Sequence, residues 1–220
     1  MRGDSRTERV VKARPTSSSS VDRALVIGGG IAGMSTAIVL GRQGIDVDLI
    51  DRDTAWRTYG AGITISSPTL RAFGELGVLD EILRNSFSGN GIRICDVNGT
   101  EVSAVEDPPG LLGSGGILRP SLHRVLAEAV TALGIEVRLG ITADAIVDRE
   151  NGTDVTFSDG NSRSYDLVVG ADGLYSSTRR LLFPDAPSPE YTGQTVWRVI
   201  ADRPSSVDRR HFFLGGPVKV

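Results

Sequence analysis

Cysteine is nearly missing from this chain: Cys95 stands alone among 220 residues. A single thiol makes neither an intrachain disulfide nor a cysteine-cluster metal site, and it suits a cytoplasmic protein. Histidine is as scarce, with only His123 and His211, so a histidine-rich metal centre is not expected. No apolar run approaches the ~20 residues that a membrane span needs. A surplus of either charge is missing too. The net charge of −3 gives no electrostatic reason to expect nucleic acid as a partner. What remains is ordinary globular composition, 40% hydrophobic, in a length that allows one or two domains.

The first residues are polar and charged and end in Ser17 to Ser20. They lack the apolar core of a signal peptide, and residues 1–21 read as a disordered tail, with the first domain beginning near Asp22.

The chain is organised around the stretch from Ala24 to Asp51. Ala24 to Ile27 is a short apolar run of the kind that forms a buried parallel strand. Gly28, Gly30 and Gly33 then make G-x-G-x-x-G. From Ile31 to Gln43 a helix is expected, with Ile31, Met34, Ala37, Ile38 and Gly41 on one face and Gly44 as its stop. Val47 to Ile50 is a second strand, and Asp51 sits at its end. Gly28 permits the tight strand-to-helix turn, Gly30 leaves room for a pyrophosphate, and Gly33 lets the helix pack closely on the sheet. The helix start offers unpaired N–H groups and the positive end of a dipole to that phosphate. Asp51, 18 residues after Gly33, is placed to accept hydrogen bonds from an adenosine ribose. Its charge disfavours a 2′-phosphate, so FAD or NAD is favoured over NADP here. The alternative is a glycine-rich turn in an ordinary βαβ unit.

Further along, Gly60-Ala61-Gly62-Ile63-Thr64-Ile65 precedes Ser66-Ser67-Pro68. These glycines either admit something flat or phosphorylated close to the backbone or merely lead a loop into a short strand. Thr69 to Leu83 reads as a helix interrupted at Gly77. Ile92 to Asp96 and Glu101 to Val105 flank Asn98-Gly99, a hairpin signal. Asp107 to Gly116 reads as loop. Arg119 opens a helix running to about Leu133 and ended by Gly134, with a strand from Glu136 to Leu139 after it. Ala143 to Asp148 and Asp154 to Phe157 look like an antiparallel pair. Tyr165 to Gly170 is an apolar strand leading into Ala171-Asp172-Gly173 and then Ser176-Ser177-Thr178-Arg179. A loop leaving the carboxyl end of a sheet strand is where α/β proteins bind ligands. Asp172 also suits a helix cap, with Arg179 paired to it or to another acid. Thr192 to Ala201 and His211 to Leu214 have strand character.

These residues together resemble the first half of a class A flavoprotein monooxygenase, the group that includes p-hydroxybenzoate, salicylate and 3-hydroxybenzoate hydroxylases. Three separated features carry the resemblance: Gly28-x-Gly30-x-x-Gly33 with Asp51-Arg52; Gly60-Ala61-Gly62-Ile63 with Pro68 and the helix at Leu70; and Ala171-Asp172-Gly173-x-x-Ser176-x-x-Arg179. Arg119 with Leu122 is similar to the family's flavin-contacting arginine. Pro68 before Thr69 departs from the family's usual Pro-Asn.

The resemblance implies an α/β fold, a Rossmann-like, GR2-type FAD-binding domain with the beginning of a second, mostly antiparallel substrate-domain sheet. It implies that residues 22–85 and 118–189 form the FAD-binding domain and that residues 86–117 and 190–220 form a partial substrate domain. Gly28, Gly30, Ala32, Gly33 and Asp51 would hold the ADP half of FAD, with Arg52 beside the adenosine. Ile63 and Thr64 would pass near the isoalloxazine, where Arg119 also reaches. Ala143 would meet the adenine through its backbone, and Asp172 and Gly173 would support the pyrophosphate and the transient NAD(P)H site. NAD(P)H is then the co-substrate and O₂ the oxidant. An aromatic or polyketide-like molecule is hydroxylated through a flavin C4a-hydroperoxide, and a homodimer fits the group. The other readings are an FAD/NAD-dependent dehydrogenase without oxygen transfer and a non-catalytic nucleotide-binding fragment. The family's later Gly-Asp motif is absent, and Val220 falls in a strand-like segment. These 220 residues alone are therefore expected to bind FAD weakly or not at all and not to hydroxylate.

Overall fold

The computed structural model describes residues 21–109 and 113–216. The expected tail, except Val21, and the strand-like end at Val220 lie outside the described residues. Ala24 to Ile27 carry no polar side chain to satisfy, and they form β1 (Arg23–Ile27), buried along its apolar length. A tight turn leads into α1 (Ile31–Arg42), which turns Gly33, Met34, Ala37 and Ile38 inward. Gly44, at φ +86, follows the helix in the left-handed region, and β2 (Asp46–Asp51) begins.

Next come β3 (Gly62–Ile65), α2 (Ser67–Glu75) and α3 (Leu79–Arg84). The single interrupted helix expected over Thr69–Leu83 is therefore two. Gly77, at φ +68, turns the chain between them while Leu70, Phe73 and Ile82 stay buried. After β4 (Ser86–Ser88), the strands β5 (Ile92–Asp96) and β6 (Glu101–Val105) pair as the expected hairpin. Asp96 closes its turn, Oδ1 accepting from the N–H groups of Asn98 at 2.9 Å and Thr100 at 2.8 Å.

The loop expected through Gly116 is cut short by β7 (Gly115–Leu118). Glycine there marks crowding, since a Cβ on Gly115 would lie 1.8 Å from the Phe87 carbonyl oxygen on the neighbouring strand. The chain continues through α4 (Arg119–Ala132), β8 (Glu136–Leu139), β9 (Ala143–Arg149) and β10 (Gly152–Phe157).

The strand expected over Tyr165–Gly170 is also two, β11 (Ser162–Tyr165) and β12 (Leu167–Gly170). Asp166 divides them because its carboxylate accepts from the N–H groups of Asp22 and Arg23, each at 2.8 Å, as the chain passes from one sheet to another. Then follow α5 (Ser177–Leu182) and β13 (Arg210–Leu214). Thr192–Ala201, expected as a strand, forms none: no described strand pairs with it, and Trp197 is 88% exposed.

Four sheets result. The central one is parallel throughout, in the order β12-β1-β2-β8. Antiparallel sheets β11-β10-β9 and β3-β7-β4 flank it, and β13-β5-β6 pairs β13 with β5 in parallel and β5 with β6 antiparallel. The central strands are buried on both faces, which is why they read as continuous apolar runs. Val26, Val47 and Leu49 pack against α1, α2 and α4. Leu25, Ile27 and Ile50 point the other way, onto Val155, Phe157 and Tyr165 of the β11-β10-β9 sheet. Asp48 is the buried exception, at 2% exposure. Its carboxylate accepts from Tyr165 Oη at 2.5 Å, Arg163 Nη1 at 3.0 Å and Arg23 Nη2 at 3.4 Å, so the charge is paired rather than stranded.

Candidate dinucleotide-binding site

β1 has β2 on one side and β12 on the other, so the chain leaves it at the point where a parallel sheet opens a crevice beyond its strand ends. A cleft of roughly 320 Å³ lies there. Ile27 and Gly28 line it from the end of β1, Ile50 and Asp51 from the end of β2, and Ala171, Asp172 and Gly173 from the loop after β12. Arg52, Asp53, Arg57, Tyr59, Ile141, Thr142, Tyr175 and Ser177 complete the rim.

The three signature glycines occupy three different environments. Gly28 has φ +110, and its N–H donates to the Ile50 carbonyl at 2.8 Å. A Cβ there would lie 2.5 Å from the Ala171 carbonyl oxygen. At Gly33 a Cβ would lie 1.7 Å from the Gly28 carbonyl oxygen, so the helix rests directly on the turn. At Gly30 a Cβ would meet nothing within 4 Å. Gly30 is the N-cap of α1, and no side chain caps the helix start. The first-turn N–H groups of a helix have no partner within it, so open space here lies beside unsatisfied donors. That combination fits the phosphates of a dinucleotide such as FAD.

Asp51 is held from two sides. Its Oδ2 accepts from the Gly29 N–H at 2.6 Å and its Oδ1 from the Asp53 N–H at 2.7 Å. Each oxygen keeps a further lone pair for a ligand hydroxyl. Asp172 accepts from Ser176 Oγ at 2.5 Å, Ser177 Oγ at 3.1 Å, and the Thr178 N–H and Oγ1 at 3.0 and 3.1 Å. Burial pushes its carboxyl up, but these donors outweigh burial and hold it below the usual carboxylate range. Asp172 therefore fastens the start of α5 and also lines the cleft. Among the described residues Arg179 pairs with no acid; its Nη2 donates to the Leu174 carbonyl at 2.9 Å.

The expected site residues thus divide. Gly28, Gly30, Asp51, Arg52, Asp172 and Gly173 share the cleft. Ala32 and Gly33 lie in the first turn of α1 behind it. Ala143 is 4% exposed and does not line the cleft, whereas its neighbours Ile141 and Thr142 do. Ile63 and Thr64 line a second cleft, of roughly 440 Å³, with Trp197, Arg198 and Arg210. Arg119 borders that region: its N–H donates to the Ala61 carbonyl at 2.9 Å, and its side chain lies against Gly60.

Trp56 and His123 carried no signal in the sequence, because their contacts join distant segments. Trp56 Nε1 donates to the Gly29 carbonyl at 2.8 Å, and its ring meets His123 edge-on at 5.5 Å and 81°. Burial pushes His123 below its ordinary value of 6.5, with Asp51 opposing in part. A histidine depressed in the folded state protonates first in the unfolded chain, so its contribution to stability is present above pH 6.5 and lost as pH falls below it. Chemical denaturation is expected to show falling stability from about pH 6.5 to 5, where only histidines titrate strongly. The His123→Asn variant should flatten that slope, and an unchanged slope would place its origin elsewhere.

Among the described residues, no helix is long and apolar enough to cross a membrane, and no group of three or more metal-ligating side chains forms. The chain is 34% identical over 178 residues to 2-heptyl-3-hydroxy-4(1H)-quinolone synthase of Pseudomonas aeruginosa, a match spanning 80% of this chain and 46% of that protein. It is 35% identical over 194 residues to 3-hydroxybenzoate 6-hydroxylase of Klebsiella oxytoca, covering 84% and 48%. Among solved structures, the tetrameric form of 2-methyl-3-hydroxypyridine-5-carboxylic acid oxygenase superposes with a TM-score of 0.66 at 33% identity, over 75% of this chain and 43% of that one. The chain spans about half the length of the curated relatives it matches. These relatives bear out the resemblance to aromatic-ring monooxygenases. The matching family model is that of the FAD binding domain, and it runs over residues 22–213, through every strand that builds the cleft. The glycine cradle, the two aspartates lining the cleft and this match converge, and the chain belongs to the FAD binding domain family.

Proposed function

We propose that the chain is the cofactor-holding part of an FAD-dependent, NAD(P)H-using monooxygenase that hydroxylates an aromatic or related small molecule. The observation that carries this reading is the open space at Gly30, set at an uncapped helix start and in one cleft with Asp51 and Asp172. FAD bound there supplies the redox and oxygen chemistry. The chain's residues hold and orient it. The α1 N-terminus takes the pyrophosphate, Asp51 accepts the adenosine ribose hydroxyls with Arg52 beside it, and Asp172 keeps the loop through Gly173 in place. Ala143 serves this end only through the backbone, behind Ile141 and Thr142.

The second cleft suits the ring end of the cofactor and the substrate. Ile63 and Thr64 form one wall, Trp197 offers an aromatic face, and Arg198 and Arg210 bring positive charge that favours an acidic or phenolic ring. In this reading residues 22–85 and 118–189 form the FAD-binding domain, and residues 86–117 and 190–220 contribute to the substrate side. A cytoplasmic location accords with the single cysteine, and self-association with the tetrameric form of the pyridine-acid oxygenase.

The natural protein that carries this chain is the material for the test, with FAD, NADH and a panel of phenols. Hydroxylated product with matched NADH loss is the expected result. NADH loss without oxygen in the product would move the protein to the dehydrogenases, and failure to bind FAD would overturn the reading. In the same preparation, Asp51→Ala is expected to weaken FAD by about 1–3 kcal/mol, the usual size for a hydrogen bond to a charged group. Unchanged FAD affinity would remove Asp51 from the ribose site.

A further inference from the structure

We propose that Trp56 is a positioning residue for the dinucleotide loop, fixing the Gly29–Gly30 peptide so that the Gly30 N–H faces the ligand's pyrophosphate. The proposal rests on the FAD reading above and adds a residue that the G-x-G-x-x-G pattern does not contain.

The indole Nε1–H donates to the Gly29 carbonyl at 2.8 Å. No described peptide bond is cis, and in a planar trans peptide the C=O and the following N–H point to opposite sides. With the Gly29 carbonyl turned to Trp56, the Gly30 N–H is turned away from it, and a Cβ on Gly30 meets nothing within 4 Å. The preceding peptide is fixed in the same manner. Asp51 Oδ2 accepts the Gly29 N–H at 2.6 Å, while the Gly28 carbonyl lies against Gly33. Two successive peptides are therefore held by one short segment, residues 51–56.

Two further observations point to Trp56 as built for this place. Its φ is +47, the left-handed region that bulky residues avoid, and such a conformation persists where surrounding contacts enforce it. Position 29 is also one of the variable positions of the pattern, and Gly29 is absent from the positive-φ residues. Yet a Cβ there would lie 2.4 Å from Trp56 Nε1. Glycine at 29 is thus explained by the indole seated over it.

The test uses ADP, which has the diphosphate and the adenosine without the flavin, and reads its affinity by calorimetry beside FAD titration. Trp56→Phe keeps an aromatic ring and loses the donor. It is expected to weaken ADP and FAD alike by about tenfold, the effect of one orienting hydrogen bond. Trp56→His keeps an N–H at the matching ring position and should recover most of that loss. Gly29→Ala, which displaces the indole, should reproduce it. Wild-type ADP affinity in Trp56→Phe would overturn the proposal, as would a His variant as weak as the Phe variant, since packing alone would then account for Trp56. Amide NMR on the unaltered protein gives a second reading: the Gly30 N–H signal should move strongly on adding ADP, and a fixed signal would overturn the proposal. A wild type that binds neither ADP nor FAD would instead overturn the cofactor reading beneath it.

Discussion

Gly30→Val is expected to fold, to melt close to the unaltered protein, and to purify without FAD. Gly30 has φ −76 and ψ −175, extended backbone that any residue adopts, and a Cβ there touches no protein atom within 4 Å. Its lack of a side chain therefore serves the ligand and not the fold. Valine's two methyl groups would fill the space beside the first-turn N–H groups of α1, where phosphate oxygens would otherwise accept. Losing those charge-assisted hydrogen bonds should weaken FAD by about 3 kcal/mol, roughly a hundredfold. FAD titration and a thermal melt of the apo form check both halves. Stoichiometric FAD in the purified variant would show that the phosphates bind elsewhere.

Gly33→Ala should fail in the opposite way, losing stability before it loses any contact with ligand. The added methyl would lie 1.7 Å from the Gly28 carbonyl oxygen and 3.4 Å from Val26 Cγ1. That oxygen belongs to backbone with no room to retreat, because the Gly28 N–H is bonded to Ile50 and Gly28 itself abuts Ala171. The helix must lift off the sheet, opening the packing of Met34, Ala37 and Ile38. A cost of about 3 kcal/mol is expected for such overpacking, which lowers Tm by roughly 6–12 °C in a domain of this size. An unchanged melting temperature would show that α1 is seated less tightly than the geometry has it. Two glycines three positions apart in one motif thus separate a binding defect from a folding defect.

The cleft's floor was legible because its signals are local. The spacing of Gly28, Gly30 and Gly33, the apolar runs on either side and the acid at the end of the second run all act within residues 24–51. The Asn98-Gly99 hairpin was legible for the same reason. Glycine misled where it served contact between strands. Gly115 and Gly116 read as loop, yet both are strand residues, and the Phe87 carbonyl crowds Gly115. Asp166 breaks an apolar run through bonds to residues 144 and 143 positions away, a distance over which no periodicity speaks. Thr192–Ala201 has the residues of a strand, but a strand is a relation between segments, and none of the described segments pairs with this one. Trp56 was invisible for both reasons: its backbone conformation is atypical of its type, and its partner Gly29 lies 27 positions back.

The order of the central sheet has a consequence for how the chain is made. β1 precedes both of its neighbours in the chain, and they arrive at very different times. β2 follows at once through α1, while β12, paired with β1 from Ala24↔Leu167 to Ile27↔Gly170, is not yet synthesised. Until then one edge of β1 offers unpaired N–H and C=O groups along an apolar strand, the arrangement most prone to wrong pairing. Contacts of such long sequence separation also slow folding, because the intervening loop must close before it is rewarded. The emerging chain must therefore keep Ala24–Ile27 covered while more than a hundred residues are added, and a holdase chaperone that binds short apolar extended segments would find its site there.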